Sequence, residues 1–95
     1  MQILSGVTEF IDGLSNHDAA KILVSLKFVD MGRTEGLQIK KLRGKIYELV
    51  VNQYRIIFFR ISVTRYVVDA FRKKTQKTPK RIIERAEKLY RDINN

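Results

Sequence analysis

Three apolar segments joined by two-residue links constrain this chain more than anything else in it. "KIYELVV" (45–51), "YRIIFFRI" (54–61) and "TRYVVDAF" (64–71) are rich in β-branched and aromatic residues, the composition of strands. Asn52-Gln53 separates the first pair and Ser62-Val63 the second. Links this short permit only antiparallel neighbours, because parallel strands need a long crossover. An earlier segment, "LQIKKL" (37–42), alternates apolar and polar at its start and reaches the first strand through a turn at Arg43-Gly44. An antiparallel meander is expected. "YRIIFFRI" is apolar on both pleat faces, which places it centrally with most of one face under helices.

Two helices are expected ahead of the strands. Val7, Phe10, Ile11 and Leu14 recur with a helical period. Ser15 and Asp18 have the spacing of a cap for a second helix, whose apolar face is Ala19, Ile22, Leu23 and Leu26, widened by Val24, Phe28 and Met31. Gly32 is placed to stop it. After the strands, Thr78 is a candidate cap and Pro79 suits a first turn for a last helix, with Ile82, Ile83, Ala86, Leu89, Tyr90 and Ile93 as its stripe. Glu84–Lys88 and Glu87–Arg91 are favourable i, i+4 pairs on its outer face. The expected fold class is α+β, a small antiparallel sheet against an N-terminal helical hairpin with a C-terminal helix. The 95 residues make one domain, 1–95.

Charge is distributed unevenly. Residues 1–39 balance at −2 and residues 40–95 at +11, giving the net +9. Segment 71–81, "FRKKTQKTPKR", packs six cations into eleven positions around the sole proline. Such a field suits a polyanionic partner. A membrane surface is a poor fit, since the basic segments read as strands and a balanced helix rather than a basic amphipathic helix. No apolar run nears the ~18 residues of a membrane span, and "MQILSGVTEF" lacks the regions of a signal peptide. A cytoplasmic location is the expectation.

The side chains present restrict the chemistry. With one histidine, His17, and no cysteine, an ordinary zinc site is not available; His17 sits beside a helix cap, a surface position around which no Ser-His-Asp arrangement is built. Glu48 and Asp69 are poor material for a two-metal nuclease, so no metal and no cofactor is expected. RNA cleavage tolerates this inventory, because the 2′-hydroxyl is a built-in nucleophile. A lysine crowded by other cations can move a proton, an arginine can hold the phosphate charge, and an aromatic ring can stack a base. The candidates are Arg55, Lys73, Lys74 and Lys77 for catalysis. For RNA binding they are Lys41, Arg43, Lys45, Tyr54, Phe71, Arg72, Lys80 and Arg81.

The order of elements, with "YELVVNQYRIIFF", "FRKKTQKTP" and the "IIERA" helix start, resembles the RelE/HigB-like toxins of type II toxin–antitoxin systems, most closely the phage-derived HigB branch of the RelE/ParE superfamily. The resemblance covers nearly the whole chain. It implies a RelE-like fold and a metal-independent endoribonuclease that cuts mRNA in the ribosomal A site, inhibiting translation. It also implies a cognate antitoxin, usually a helix-turn-helix protein. By motif, Arg55 corresponds to a phosphate-binding arginine, and Lys73, Lys74 and Lys77 to the family's basic residues after the last strand. Two features depart from the family pattern. Val50 stands where relatives commonly have the arginine of "YELR", and the first strand is reduced to "MQIL" or absent. Two alternatives stay open on the same fold: a ParE-like gyrase inhibitor and, motivated by Val50, a non-catalytic protein that binds RNA or the ribosome.

Overall fold

The computed structural model describes residues 1–95. Its elements are β1 (Gln2–Ile3), α1 (Ser5–Asp12), α2 (Asn16–Asp30), β2 (Gln38–Arg43), β3 (Ile46–Val51), β4 (Tyr54–Ile61), β5 (Thr64–Arg72) and α3 (Lys80–Asn94). They form one five-stranded sheet ordered β1-β5-β4-β3-β2. The α+β class, the meander and the three helices match the sequence expectation. The residual "MQIL" strand exists: β1 pairs parallel with β5, Gln2 opposite Tyr66 and Ile3 opposite Val67.

Strand β4 is central and packed on both sides. Alternate residues Tyr54, Ile56 and Phe58 face α1 and α2, in a cluster with Val7, Ile11, Ile22, Leu26 and Val29. Ile57 and Phe59 face α3, with Ile46, Val68, Ile82 and Ala86. The Phe59 ring meets Tyr90 edge-on at 5.2 Å. Burying side chains as large as Ile57 and Phe59 completely contributes about 1.5–3 kcal/mol each. The two-sided pattern read from "YRIIFFRI" thus reflects helices on both faces, not mainly on one.

Turns and caps position the rest. Asn52 adopts φ 52°, in the left-handed region that asparagine tolerates, and closes the β3–β4 hairpin. The β2–β3 turn is Gly44-Lys45 rather than Arg43-Gly44, because Arg43 already pairs with Ile46 and Gly44 takes φ 57°. Ser15 caps α2 as expected, accepting from the Asp18 N–H at 3.2 Å. Gly32, at φ 70°, ends it: Gly32 N–H donates to the Val29 carbonyl at 3.0 Å and Arg33 N–H to Phe28 at 2.9 Å, a Schellman closure.

Three further expectations need correction. Leu23, Val24, Phe28 and Met31 do not enter the core; they are 40–55 % exposed on the outer side of α2. Thr78 does not cap α3, whose cap position is Pro79 with no side-chain bond; its hydroxyl points to Glu48 instead. The α3 pairs are Lys80–Glu84 at 4.0 Å and Lys88–Asp92 at 3.0 Å, because Glu87 reaches off the helix to Arg43.

Candidate functional site

Where β5 runs out, the chain makes a seven-residue loop, Lys73 to Pro79, before α3 begins at Lys80. Lys73 N–H donates to the Gln53 carbonyl at 2.7 Å, tying the start of the loop to the β3–β4 turn. Thr75 Oγ1 donates to the Lys77 carbonyl at 2.7 Å and folds the loop on itself. Between this loop and the sheet lies a cleft of about 630 Å³. Seven of its sixteen lining residues are cations, and Glu48 is the one acid.

The floor is a polar group of three, two of them buried and Thr78 half-buried. Arg55 on β4 and Glu48 on β3 are 9 % and 3 % exposed. Arg55 Nε lies 3.9 Å from Glu48 Oε2, and the Thr78 hydroxyl donates to Glu48 Oε1. Arg55 Nη1 donates to the carbonyls of Asn52 at 2.7 Å and Tyr54 at 2.9 Å. These contacts fix the guanidinium while Nη2 makes no hydrogen bond within the chain. Glu48 therefore orients Arg55 and, through Thr78, holds the C-terminal end of the basic loop over it. Its importance was not visible in the sequence.

Of the sequence candidates, Arg55, Lys73, Lys74, Lys77, Phe71, Arg72 and Arg81 all line this cleft. Phe71 pairs with Arg55 across β4–β5 and is half-buried beside it. Lys40 joins them, facing Glu48 across β2–β3; the sequence reading missed it. The other candidates lie elsewhere. Arg43 is held by Glu87 through bonds of 2.7 and 3.2 Å. Lys41 pairs with Tyr47 on the opposite face of β2. Lys45 is in the turn at the far end of the strands, and Lys80 sits near Glu84 on α3. Asp69 accepts from the Ala70 N–H at 2.9 Å at the β5 bulge.

Tyr54 is corrected most clearly. It is 2 % exposed and faces the helices, so it presents no ring to a base. Its hydroxyl donates to Asp18 Oδ2 at 2.6 Å, Phe10 packs edge-on at 6.0 Å, and Arg72 lies over the ring at 5.3 Å. The hydrogen bond to Asp18, and secondarily burial, hold the phenol above its ordinary value, partly opposed by the Arg72 charge. A raised value means the contribution is complete below the ordinary phenol range near 10 and is lost as pH rises through the raised one. Urea denaturation should therefore show wild-type stability declining above pH 10. Tyr54→Phe should be less stable at pH 7 and should lack that component of the decline.

Val50 pairs with Arg55 in the β3–β4 register. The position therefore lies on the cleft side of the sheet, and the valine adds no charge there. Positive charge is supplied instead from β2 by Lys40 and from the loop.

A family model described as phage derived protein Gp49-like matches residues 9–91. The chain belongs to the Gp49-like family. The matched region of this Gp49-like chain contains the whole cleft. No curated protein matches it. Among solved structures it is similar to a chain of the RelB–RelE antitoxin–toxin complex from Methanococcus jannaschii. The TM-score is 0.66 at 16 % identity, over 76 % of this chain and 89 % of that one. At that identity the likeness establishes the shared RelE-type fold.

Proposed function

We propose that this Gp49-like chain is the toxin of a type II toxin–antitoxin pair, of the HigB-like kind, acting in the cytoplasm as a ribosome-dependent mRNA endoribonuclease. The observation that carries the reading is the convergence of Arg55, Lys73, Lys74 and Lys77 with the Phe71 ring in one cleft. In the reaction a lysine takes the proton of a message 2′-hydroxyl, whose oxygen attacks the adjacent phosphorus. The bond to the 5′-oxygen breaks, and a second lysine returns a proton to it. Arg55, held from behind by Glu48, stabilises the charge that accumulates on the phosphorane oxygens. Phe71 is the ring available to stack an unpaired base. Arg72, Arg81 and Lys40 supply phosphate contacts that lose strength with salt.

Support for an antitoxin comes from the neighbour, which was solved as an antitoxin–toxin complex. A helix-turn-helix antitoxin is the expected partner. Val50 beside Arg55 favours a second reading, in which the cleft binds ribosomal RNA or message without cutting it. Induction in a bacterial cell tests the proposal. Protein synthesis should fall first, with messages cut and no SOS response. An SOS response with intact messages would point to gyrase and overturn it.

A further inference from the structure

The outer face of α2 carries Leu23, Val24 and Phe28, continued by Met31 at its C-cap, exposed by 49, 55, 40 and 52 %. On a helix these positions fall in one stripe, with Lys27 among them. A row of large apolar side chains left in water marks an interaction surface. The stripe ends at the C-terminus of α2, where Arg65 Nη1 donates to the Asp30 carbonyl at 3.2 Å.

A second cavity, of about 720 Å³, opens at that point, with Val29 and Arg65 in its wall. Its twelve lining residues include Lys45, Arg60 and Arg65 and no acid. Arg60 and Arg65 stand directly opposite each other across β4–β5 on the α2 side of the sheet, a like-charge pair that disfavours folding. Their hydrogen bonds go to backbone carbonyls, Ser62 at 2.7 Å and Asp30, so neither charge is neutralised by a carboxylate. Asp30, the nearest acid along α2, is engaged by the N-terminal ammonium at 3.4 Å. This cavity lies at the opposite end of the strands from the basic cleft, a separation of roughly 20 Å for strands of this length.

We infer that the α2 stripe and the Lys45–Arg60–Arg65 cavity form one docking surface for a protein partner, whose segment lays an apolar helical face on the stripe and places carboxylates in the cavity. Charge complementarity selects this occupant. A second copy would pair two α2 stripes about their midpoint, setting Lys27 against Lys27 between chains of net charge +9. A nucleic acid would match the cations but gains nothing from four exposed apolar side chains. A peptide bearing both features satisfies both halves. The inference rests on the reading of the chain as one member of a neutralised pair and is independent of message cleavage. Because the surface is remote from the cleft, a partner seated on it leaves the RNA-facing corner uncovered.

The test pans a displayed library of random 20-residue peptides against the intact folded chain. Enriched sequences are synthesised and their affinities measured by fluorescence anisotropy. They should combine Asp or Glu with apolar residues at i, i+3 and i+4. Phe28→Ser and Arg60→Gln, each verified as folded by thermal melting, should weaken binding at least about tenfold. Lys74→Gln, in the cleft, should leave peptide binding unchanged, and a 12-nucleotide RNA should bind Phe28→Ser and Arg60→Gln as it binds wild type. Absence of enriched peptides, enrichment of peptides without acids, or insensitivity to Phe28→Ser would overturn the inference. So would RNA affinity lost in Arg60→Gln, which would make the cavity a nucleic-acid site. A wild-type dimer dissociated by Phe28→Ser would show that a second copy covers the stripe. Intact message in a parallel cleavage assay would count against the nuclease reading alone.

Discussion

Arg55→Gln should slow message cleavage by about 100- to 1000-fold, the range seen when one donor to a developing oxyanion is removed. Arg55 is the one cation on the cleft floor, and its Nη1 is already committed to two backbone carbonyls. Its orientation is therefore set before any substrate arrives. The substitution also removes the cation that lies 3.9 Å from the buried Glu48, and breaking a buried pair on one side costs about 3–5 kcal/mol, so the lost rate must be separated from lost stability. The double variant Glu48→Gln/Arg55→Gln does this. With no net charge left at the floor, it should recover most of the stability in urea denaturation while remaining as slow as Arg55→Gln. Recovery of cleavage together with stability would show that Arg55 serves the fold and not the phosphate.

Lys73→Ala/Lys74→Ala should lower cleavage by about 100- to 10,000-fold, the usual worth of positioned proton transfer, and should abolish toxicity on induction. Stability should barely change. Lys74 is exposed, and the hydrogen bond that anchors Lys73 uses its backbone N–H, which alanine retains. RNA affinity should weaken too, and its logarithmic salt slope should become shallower by about 1.4 if both ammonium groups contact phosphates of a single strand. Toxicity surviving in the double variant would sink the assignment. Lys77→Ala, made separately, reports whether the third lysine shares the role.

Much of the fold was legible because local signals coincided with global ones. Two-residue links between β-branched segments leave one pairing geometry, and Ser15 and Gly32 bracket α2 at both ends. Strand β1 was legible only as the remnant "MQIL"; its parallel partner is set by tertiary docking of α1 beneath β5. The candidate site was half visible. The density of 71–81 marked the loop, and "YRI" marked Arg55. The alternation of a strand also carries information about Tyr54: neighbours on β4 must face opposite sides, so Tyr54 and Arg55 could not share one cleft. Arg72, next to Phe71, reaches the cleft because it lies at the sheet's end.

Glu48 and Lys40 were not legible. Which acid lies under the basic loop, and which lysine of "KK" faces it, depend on the register of β2 on β3 and on the bulge between Lys41 and Arg43. The contact between Thr78 and Glu48 spans thirty residues and leaves no periodic trace. The exposed side of α2 was misread for a related reason. A helix that is apolar over more than one face looks like a core helix until the area of sheet beneath it is known, and this sheet accommodates only Ile22, Leu26 and Val29 fully.

Cleavage of message by the cleft in the ribosomal A site is tested by mapping message 5′ ends. Purified chain is added to a defined mRNA with and without programmed ribosomes, and the ends are read by primer extension. New ends should appear at the A-site codon only when ribosomes are present, and should be absent with Arg55→Gln. Intact message in both tubes would contradict it.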